Sequence, residues 1–519
     1  MPTMMKLVFL GWVAAWAAGI AETDAAAAER GAALPRAAIG GILYNEDDSN
    51  RFVLDPPGQM KPERLDRLVD DLADSQVTVM LICCCAKNTN YPSKAWDVHG
   101  VGFDPKLDNQ QPYFGDTPLG DRETLRRWAH NQQTMLDAGI DPMQRMIDRC
   151  RQRRISPWVS VRMNDVHDAY LLNSPLHSRF WKEHPECWRY PNRFNSWNDR
   201  CLNYGLKPVR DRAMALLREV CERYDMDGLE LDWNRFPLHF REGEEIAQGK
   251  VLTEWMAEVR AVVRQAERRW KHPIWLVARV PARPEVSYGT GLDAIAWAKR
   301  GLVDHLIVAP FFSTTDYDIP LEQWLEQLQG TDVGVTAGLE IRVQPYPGGP
   351  TLENTIERRR GAAMAALARG SQGIYLFNYF DAGTQMPGLL REMHSVEALA
   401  NKDRSYVVTY TDIAIPGKPI PAPLPRRLKP KESAEFRIFV GPQPGPAAVG
   451  EVRVTTKALA EGTRATILTA LNDHAPVGDG VRFPSSVFRD GHNTVKIVND
   501  GTSEVVVESV ELSVRFPTR

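Results

Sequence analysis

Continuous apolar runs alternate with amphipathic stretches along most of this chain. Residues 39–44 predict a first short strand, closed by the polar run Asn45-Glu46-Asp47-Asp48. Residues 62–73 place Leu65, Leu68, Val69 and Leu72 on one helical stripe. Residues 77–85 are almost wholly apolar, as a parallel strand covered on both faces requires. A polar, Gly/Pro-rich insertion comes next, and then the alternation resumes. Strands are predicted at 155–163, 228–233, 274–280, 303–309, 333–339 and 373–377. Helices are predicted at 142–154, 208–224, 252–270, 292–300, 321–328 and 351–369, and a Trp-rich insertion at 174–204. Eight strand–helix alternations predict a (β/α)₈ TIM barrel over residues 37–412. A doubly wound sheet would carry a Gly-rich phosphate loop after its first strand, but Gly40-Gly41 precedes that strand and no G-x-G-x-x-G occurs.

The pattern changes at Pro416. Residues 413–431 are dense in proline and read as a stiff linker. Beyond them, short alternating runs at 435–440, 451–456, 464–471, 494–498 and 505–514 predict a small antiparallel β-sandwich over 432–519. Its run Gly491-His492-Asn493-Thr494-Val495 resembles the end of jelly-roll carbohydrate-binding modules.

Composition narrows the class. The chain has 519 residues, 43% hydrophobic, with 63 basic and 66 acidic side chains, which excludes a disordered chain or a disulfide miniprotein. A net charge of -3 provides no basic field for nucleic acid. The start reads as an export signal over residues 1–28: Lys6, an apolar run at 7–21 too short for a membrane span, and small residues at 25–28. An uncleaved anchor is the alternative. A periplasmic or secreted protein without stable membrane insertion is therefore expected. The seven cysteines are an odd count. Cys83, Cys84 and Cys85 alternate faces of a strand and read as buried hydrophobes, whereas Cys187 and Cys201 have a spacing open to pairing.

In such barrels the working groups sit at the C-terminal strand ends. On the fourth strand, alternation turns Leu229, Leu231 and Trp233 toward the helices and Gly228, Glu230, Asp232 and Asn234 toward the axis. Inward acids are costly unless paired or used. The bland alternative is an ion pair with Arg162 or Arg279.

The run Asp227-Gly228-Leu229-x-Leu231-Asp232-Trp233-x-Arg235-Phe236-Pro237 resembles the strand-four signature of the family-10-like glycosyl hydrolases, exported bacterial barrels. The resemblance implies glycan cleavage and makes Asp232 the matching acid, with Glu230 and Asn234 at variable positions. Chitinase-like barrels carry a catalytic Glu where Asn234 stands, which speaks against their mechanism.

Glycoside cleavage takes two carboxyls, one protonated and one ionised. The expected catalytic set is Asp232 with Glu340, just past strand seven, and Glu230 in the same open, water-accessible bowl. Asp316 and Asp318 are the fallback. Substrate positioning is expected from Arg162, Asn164, Asp165, His167, Asn234, Arg235, Arg279 and Asn378. Tyr44, Trp197, Trp233, Phe311 and Tyr379 are candidate sugar platforms. No cofactor motif occurs, and no metal-ligand spacing supports a metal at Asp165 and His167. A carbohydrate is the expected partner. The rival readings are a binding barrel without turnover and metal-assisted hydrolysis at Asp165 and His167.

Overall fold

The computed structural model describes residues 39–47, 49–379, 386–459, 465–477 and 482–517, so the export reading of 1–28 lies outside the described residues. Eight parallel strands close into a barrel in sequence order: β1 (Ile42–Glu46), β2 (Val77–Cys85), β3 (Ser156–Arg162), β4 (Gly228–Asp232), β5 (Trp275–Pro281), β6 (His305–Ala309), β7 (Gly334–Leu339) and β8 (Ile374–Phe377), which returns to β1. The expected barrel is present. Its strands are the apolar runs of the sequence because both faces are covered, by helices outside and by side chains inside.

The alternation predicted for β4 holds. Leu229, Leu231 and Trp233 join the large outer cluster with the helices, while Leu43, Leu81, Trp158, Val277, Ile307, Tyr375 and Phe377 fill the barrel. Gly228 is required by this filling: a Cβ there would stand 2.4 Å from the Trp158 ring. Lateral register aligns Arg162 of β3, Asp232 of β4 and Arg279 of β5 in one row. Laterally aligned residues of a parallel sheet share a face, so this row of charges lines the mouth.

Three local differences from the sequence pattern have physical causes. β1 starts later and includes Asn45 and Glu46, because both are buried in the strand instead of forming a polar loop. The 86–141 insertion contains a 19-residue helix, Leu119–Asp137, whose outer surface is polar and whose contact stripe is only Leu125, Trp128, Ala129 and Met135 with two amides. Tyr44, Trp233 and Tyr379 are not sugar platforms: all three are buried in the outer cluster, Trp233 packed against Tyr204, Trp255 and Trp297.

The C-terminal part forms two antiparallel sheets. One runs β10 (Arg426–Leu428), β16 (Val505–Arg515), β12 (Val449–Ala458), β14 (Arg482–Pro484), with β9 (Arg404–Val407) also on β16. The other runs β11 (Ser433–Gly441), β15 (Gly491–Asn499), β13 (Ile467–Leu471). The linker stretch is thus partly strand, and β9, ahead of it, is recruited to the sandwich. All seven cysteines are buried and free, so Cys187 and Cys201 are not paired. Among the described residues no helix is long and apolar enough to cross a membrane.

Candidate active site

Asp232 ends β4 and shapes the turn after it. Its Oδ1 accepts from the backbone N–H of Asn234 at 3.0 Å and of Arg235 at 2.9 Å, an aspartate turn that folds the chain back over the strand end. The next residue, Phe236, has φ of 61°, a left-handed conformation that costs a bulky side chain energy. One terminal nitrogen of Arg279 donates to both Asp232 oxygens, at 3.1 and 3.2 Å, and the other donates to Glu340 Oε1 at 3.2 Å. One guanidinium therefore holds the two carboxyls expected as the catalytic pair.

This arrangement corrects one expectation. Asp232 is 0% exposed and Glu340 1%, so neither lies open to water as expected. The ion pair with Arg279 that the sequence left as an alternative is real, whereas Arg162 turns instead to Asp47 at 2.5 Å and Asp165 at 3.3 Å. The reason is reach. Both arginines flank Asp232 in the row, but Asp47 and Asp165 at the ends of β1 and β3 capture Arg162 first.

The environments of these acids differ. Burial pushes Glu340 up to about 8, an effect Arg279 only partly offsets. Glu230 lies one layer deeper, where it accepts from Ser160 Oγ at 2.5 Å and Asn45 Nδ2 at 3.3 Å. Burial and the nearby Asp232 charge push it up to about 7. Asp165 goes the other way: burial would raise it, but His167 and Arg162 hold it well below the usual carboxylate range. Neighbouring charges lift Arg279 above its ordinary value, Asp232 foremost, against burial.

A second chain of contacts runs from β3 to the β4 turn. His167 Nδ1 meets Asp165 at 2.8 and 2.9 Å, and its Nε2 accepts from Arg235 at 3.0 Å. Under these groups lies Phe377 of β8, with the guanidinium carbons of Arg279, Arg235 and Arg162 at 4.0, 5.5 and 5.9 Å from its ring centre. A ring face beneath clustered guanidiniums supplies cation–π attraction where direct counter-charge is rationed. Around the rim stand half-buried aromatics. Trp197 is 5.3 Å from Phe236 and 5.8 Å from Phe311, and Phe236 is 5.7 Å from Phe311, centre to centre. Asp412 fixes this rim by accepting from the backbone N–H of Phe311, Phe312 and Ser313 at 2.8, 2.7 and 2.6 Å.

The remaining expected residues divide. Asn234 donates to the carbonyls of Ala309 and Pro310, tying the turn to β6, and its Oδ1 is buried without a partner among the described residues. Asn378, at φ of 52° just past β8, has a buried Oδ1 that is likewise unpartnered among the described residues. Asn164 is structural: it joins Leu202 to Leu238 through their carbonyls and accepts from the Leu202 N–H. Asp316 and Asp318 are engaged by Arg283 and Arg369. Asp165 and His167 spend their ligating atoms on each other and on arginines, and among the described residues no group of three or more His, Cys, Asp or Glu is placed to hold a metal ion.

Sequence reasoning missed Asp47, Ser160, Phe236, Phe312, Phe377 and Asp412 as parts of this mouth. Inward parity would have found Ser160 and Phe377, since they alternate with the residues facing the helices. Asp412 carried no signal, for it arrives from beyond the last barrel strand and the first strand of the sandwich.

No protein-family model matches the chain, and no curated protein matches it; the resemblance to the family-10-like glycosyl hydrolases rests on the strand-four residues and the sequence layout over roughly 39–380. Several solved structures are similar to it. Alpha-L-fucosidase isoenzyme 2 from Paenibacillus thiaminolyticus is 12% identical with a TM-score of 0.38, over 69% of this chain and 48% of that one. The chain thus spans about half the length of that fucosidase. The PgaB (BpsB) glycoside hydrolase domain from Bordetella bronchiseptica is 9% identical with a TM-score of 0.39, over 69% of this chain and 99% of that one. The maltogenic alpha-amylase AmyB from Thermotoga neapolitana is 11% identical with a TM-score of 0.37, over 90% and 98%.

Proposed function

We propose that this chain is a glycoside hydrolase in which Glu340 donates the proton and Asp232 is its ionised partner. The observation that carries this reading is the split environment of two carboxyls held by one guanidinium at the barrel mouth. Glu340, pushed up to about 8, carries a proton at neutral pH. Asp232 has its charge matched by Arg279 and two backbone amides. Acid and base assigned by environment rather than by residue type is the arrangement glycosidases use. Contacts of 3.1 and 3.2 Å through one guanidinium keep the paired oxygens within about 9 Å, inside the span such pairs occupy.

In the reaction, the Glu340 proton passes to the leaving glycosidic oxygen as the bond to the anomeric carbon breaks. Asp232 Oδ2, bound among the described residues only to Arg279, stabilises the developing positive charge as nucleophile or as base for water. Arg279 then serves twice, fixing the Asp232 oxygens and receiving the charge left on Glu340. The Trp197, Phe236 and Phe311 faces stack the sugar. We further propose export as the setting, supported by the apolar run at 7–21.

One observation favours a rival. The complete burial of Asp232 against Arg279 suits a structural ion pair in a barrel that binds carbohydrate without cleaving it. A leaving-group series separates the two. In a hydrolase, Glu340→Gln loses about 10²–10⁴-fold on natural glycosides yet retains much of its rate on aryl glycosides whose phenolate needs no proton. In a binding barrel, wild type and variant release nothing from either substrate while both still bind glycan.

A further inference from the structure

Four arginines stand at or near the mouth, and they are not alike. Arg162 and Arg279 each touch two acidic side chains. Arg235 is 6% exposed, yet among the described residues it makes no ion pair. Among the described residues its one side-chain hydrogen bond goes to His167, and its buried Nε has no partner. Asp165, Asp47 and Glu340 act on it only through space. Arg342, just past Glu340, is exposed and has no hydrogen-bonding or ionic side-chain partner among the described residues. Both guanidiniums pack on one ring: Phe312, at 5.1 Å from Arg235 and 4.2 Å from Arg342. That ring is half-buried at the rim, and its backbone is pinned by Asp412.

A buried guanidinium without a contacting anion is expensive, since desolvation is not repaid by a partner. Simple stability would place an acid beside Arg235, as it does beside its neighbours. Among the described residues the same ring instead carries a second arginine without an ionic partner, Arg342. Two fork-shaped donors around one aromatic ring match a planar carboxylate or a sulfate attached to a sugar. From this juxtaposition we infer that the glycan is acidic, its anionic substituent received between Arg235 and Arg342 beside Phe312. The inference rests on the glycosidase reading for its setting, but its binding chemistry stands apart from turnover.

The full-length protein is tested on an array of uronic-acid, sulfated and neutral oligosaccharides, and in solution by calorimetry with polygalacturonate oligomers against their methyl esters. A sulfated galactan against its desulfated backbone forms the second pair. Acidic glycans should be retained over neutral ones, with a gap of about 10–100-fold, the range of charged hydrogen bonds. Arg342→Gln should remove most of that gap and leave neutral binding as it was, and added salt should narrow it. The pair that shows the gap distinguishes carboxylate from sulfate. Equal retention of acidic and neutral glycans, or an Arg342→Gln loss that is the same for both, overturns the inference. Acidic glycan bound but never cleaved keeps it and removes the hydrolase; cleavage confined to neutral glycans does the reverse.

Discussion

The floor and the mouth of the barrel are built from the same strands but handle polar atoms in opposite ways. At the floor Trp158 and Trp275 stack at 6.3 Å, Trp158 Nε1 donates to Ser156, Ser156 donates to Asp227, and His305 meets Thr336 at 2.8 Å. At the mouth, buried atoms of Asn234, Arg235, Arg279 and Asn378 have no partner among the described residues, and Phe236 takes a left-handed backbone. A protein selected for stability alone would finish both ends alike. Left-handed residues also precede β3 and β5 at the floor, Arg154 at φ of 60° and Lys271 at 62°, so it is the unpartnered atoms gathered around the charged row, not backbone strain, that mark the mouth as a candidate working site.

The largest effect that tests this contrast is on turnover. Asp232→Asn should lower kcat by about 10²–10⁴-fold or more on whatever glycan the protein cleaves, the scale of a lost acid–base partner. Retained turnover would make Asp232 part of the frame. Next comes Arg279→Met, which strands two buried carboxyls; denaturant unfolding should show a loss of about 3–5 kcal/mol. At the floor, Gly228→Ala drives a methyl into the Trp158 ring, costing about 1–3 kcal/mol while glycan binding at the mouth persists. Loss of binding there would show the two ends to be coupled. The smallest effect belongs to Arg145→Met on the outer helices, whose bidentate pair with Asp66 at 2.6 Å is part-exposed. It should shift stability by no more than about 1 kcal/mol, because water screens such pairs. Charge pairing as such is therefore cheap, and the cost at the mouth comes from burial.

Proton linkage gives the contrast a pH axis. Glu340 has a folded value raised to about 8, so the stability linked to its proton is present below its ordinary value and is lost as pH rises toward 8. Glu340→Gln, which imitates the protonated form, should melt progressively higher relative to wild type between about pH 5 and 8, with the gap level above that.

The barrel was legible because buried parallel strands write themselves as apolar runs, and inward parity on β4 came from period two. The helix Leu119–Asp137 was not, since its narrow apolar stripe is diluted by polar residues. Asn45 and Glu46 read as loop because polarity outweighs position in a sequence pattern. Neighbouring strands decide that both are covered. The mouth was half legible. Asp232, Glu340 and Arg279 were named, but whether Arg279 or Arg162 holds Asp232 depends on lateral register and on Asp47 and Asp165 competing for Arg162. The left-handed turn at Phe236 left no trace in composition, nor did the arrival of Asp412 beneath the aromatic rim.

The central claim is that Glu340 holds a proton at neutral pH beside a charged Asp232. Isotope-edited infrared titration of the Glu340 carboxyl, with Glu340→Gln to identify its band, measures this without knowledge of the glycan. The account predicts a protonated carbonyl band that persists at pH 7 and disappears with a midpoint of about 8. A band already gone at pH 6, with a midpoint near the ordinary glutamate value of about 4.3, would contradict it.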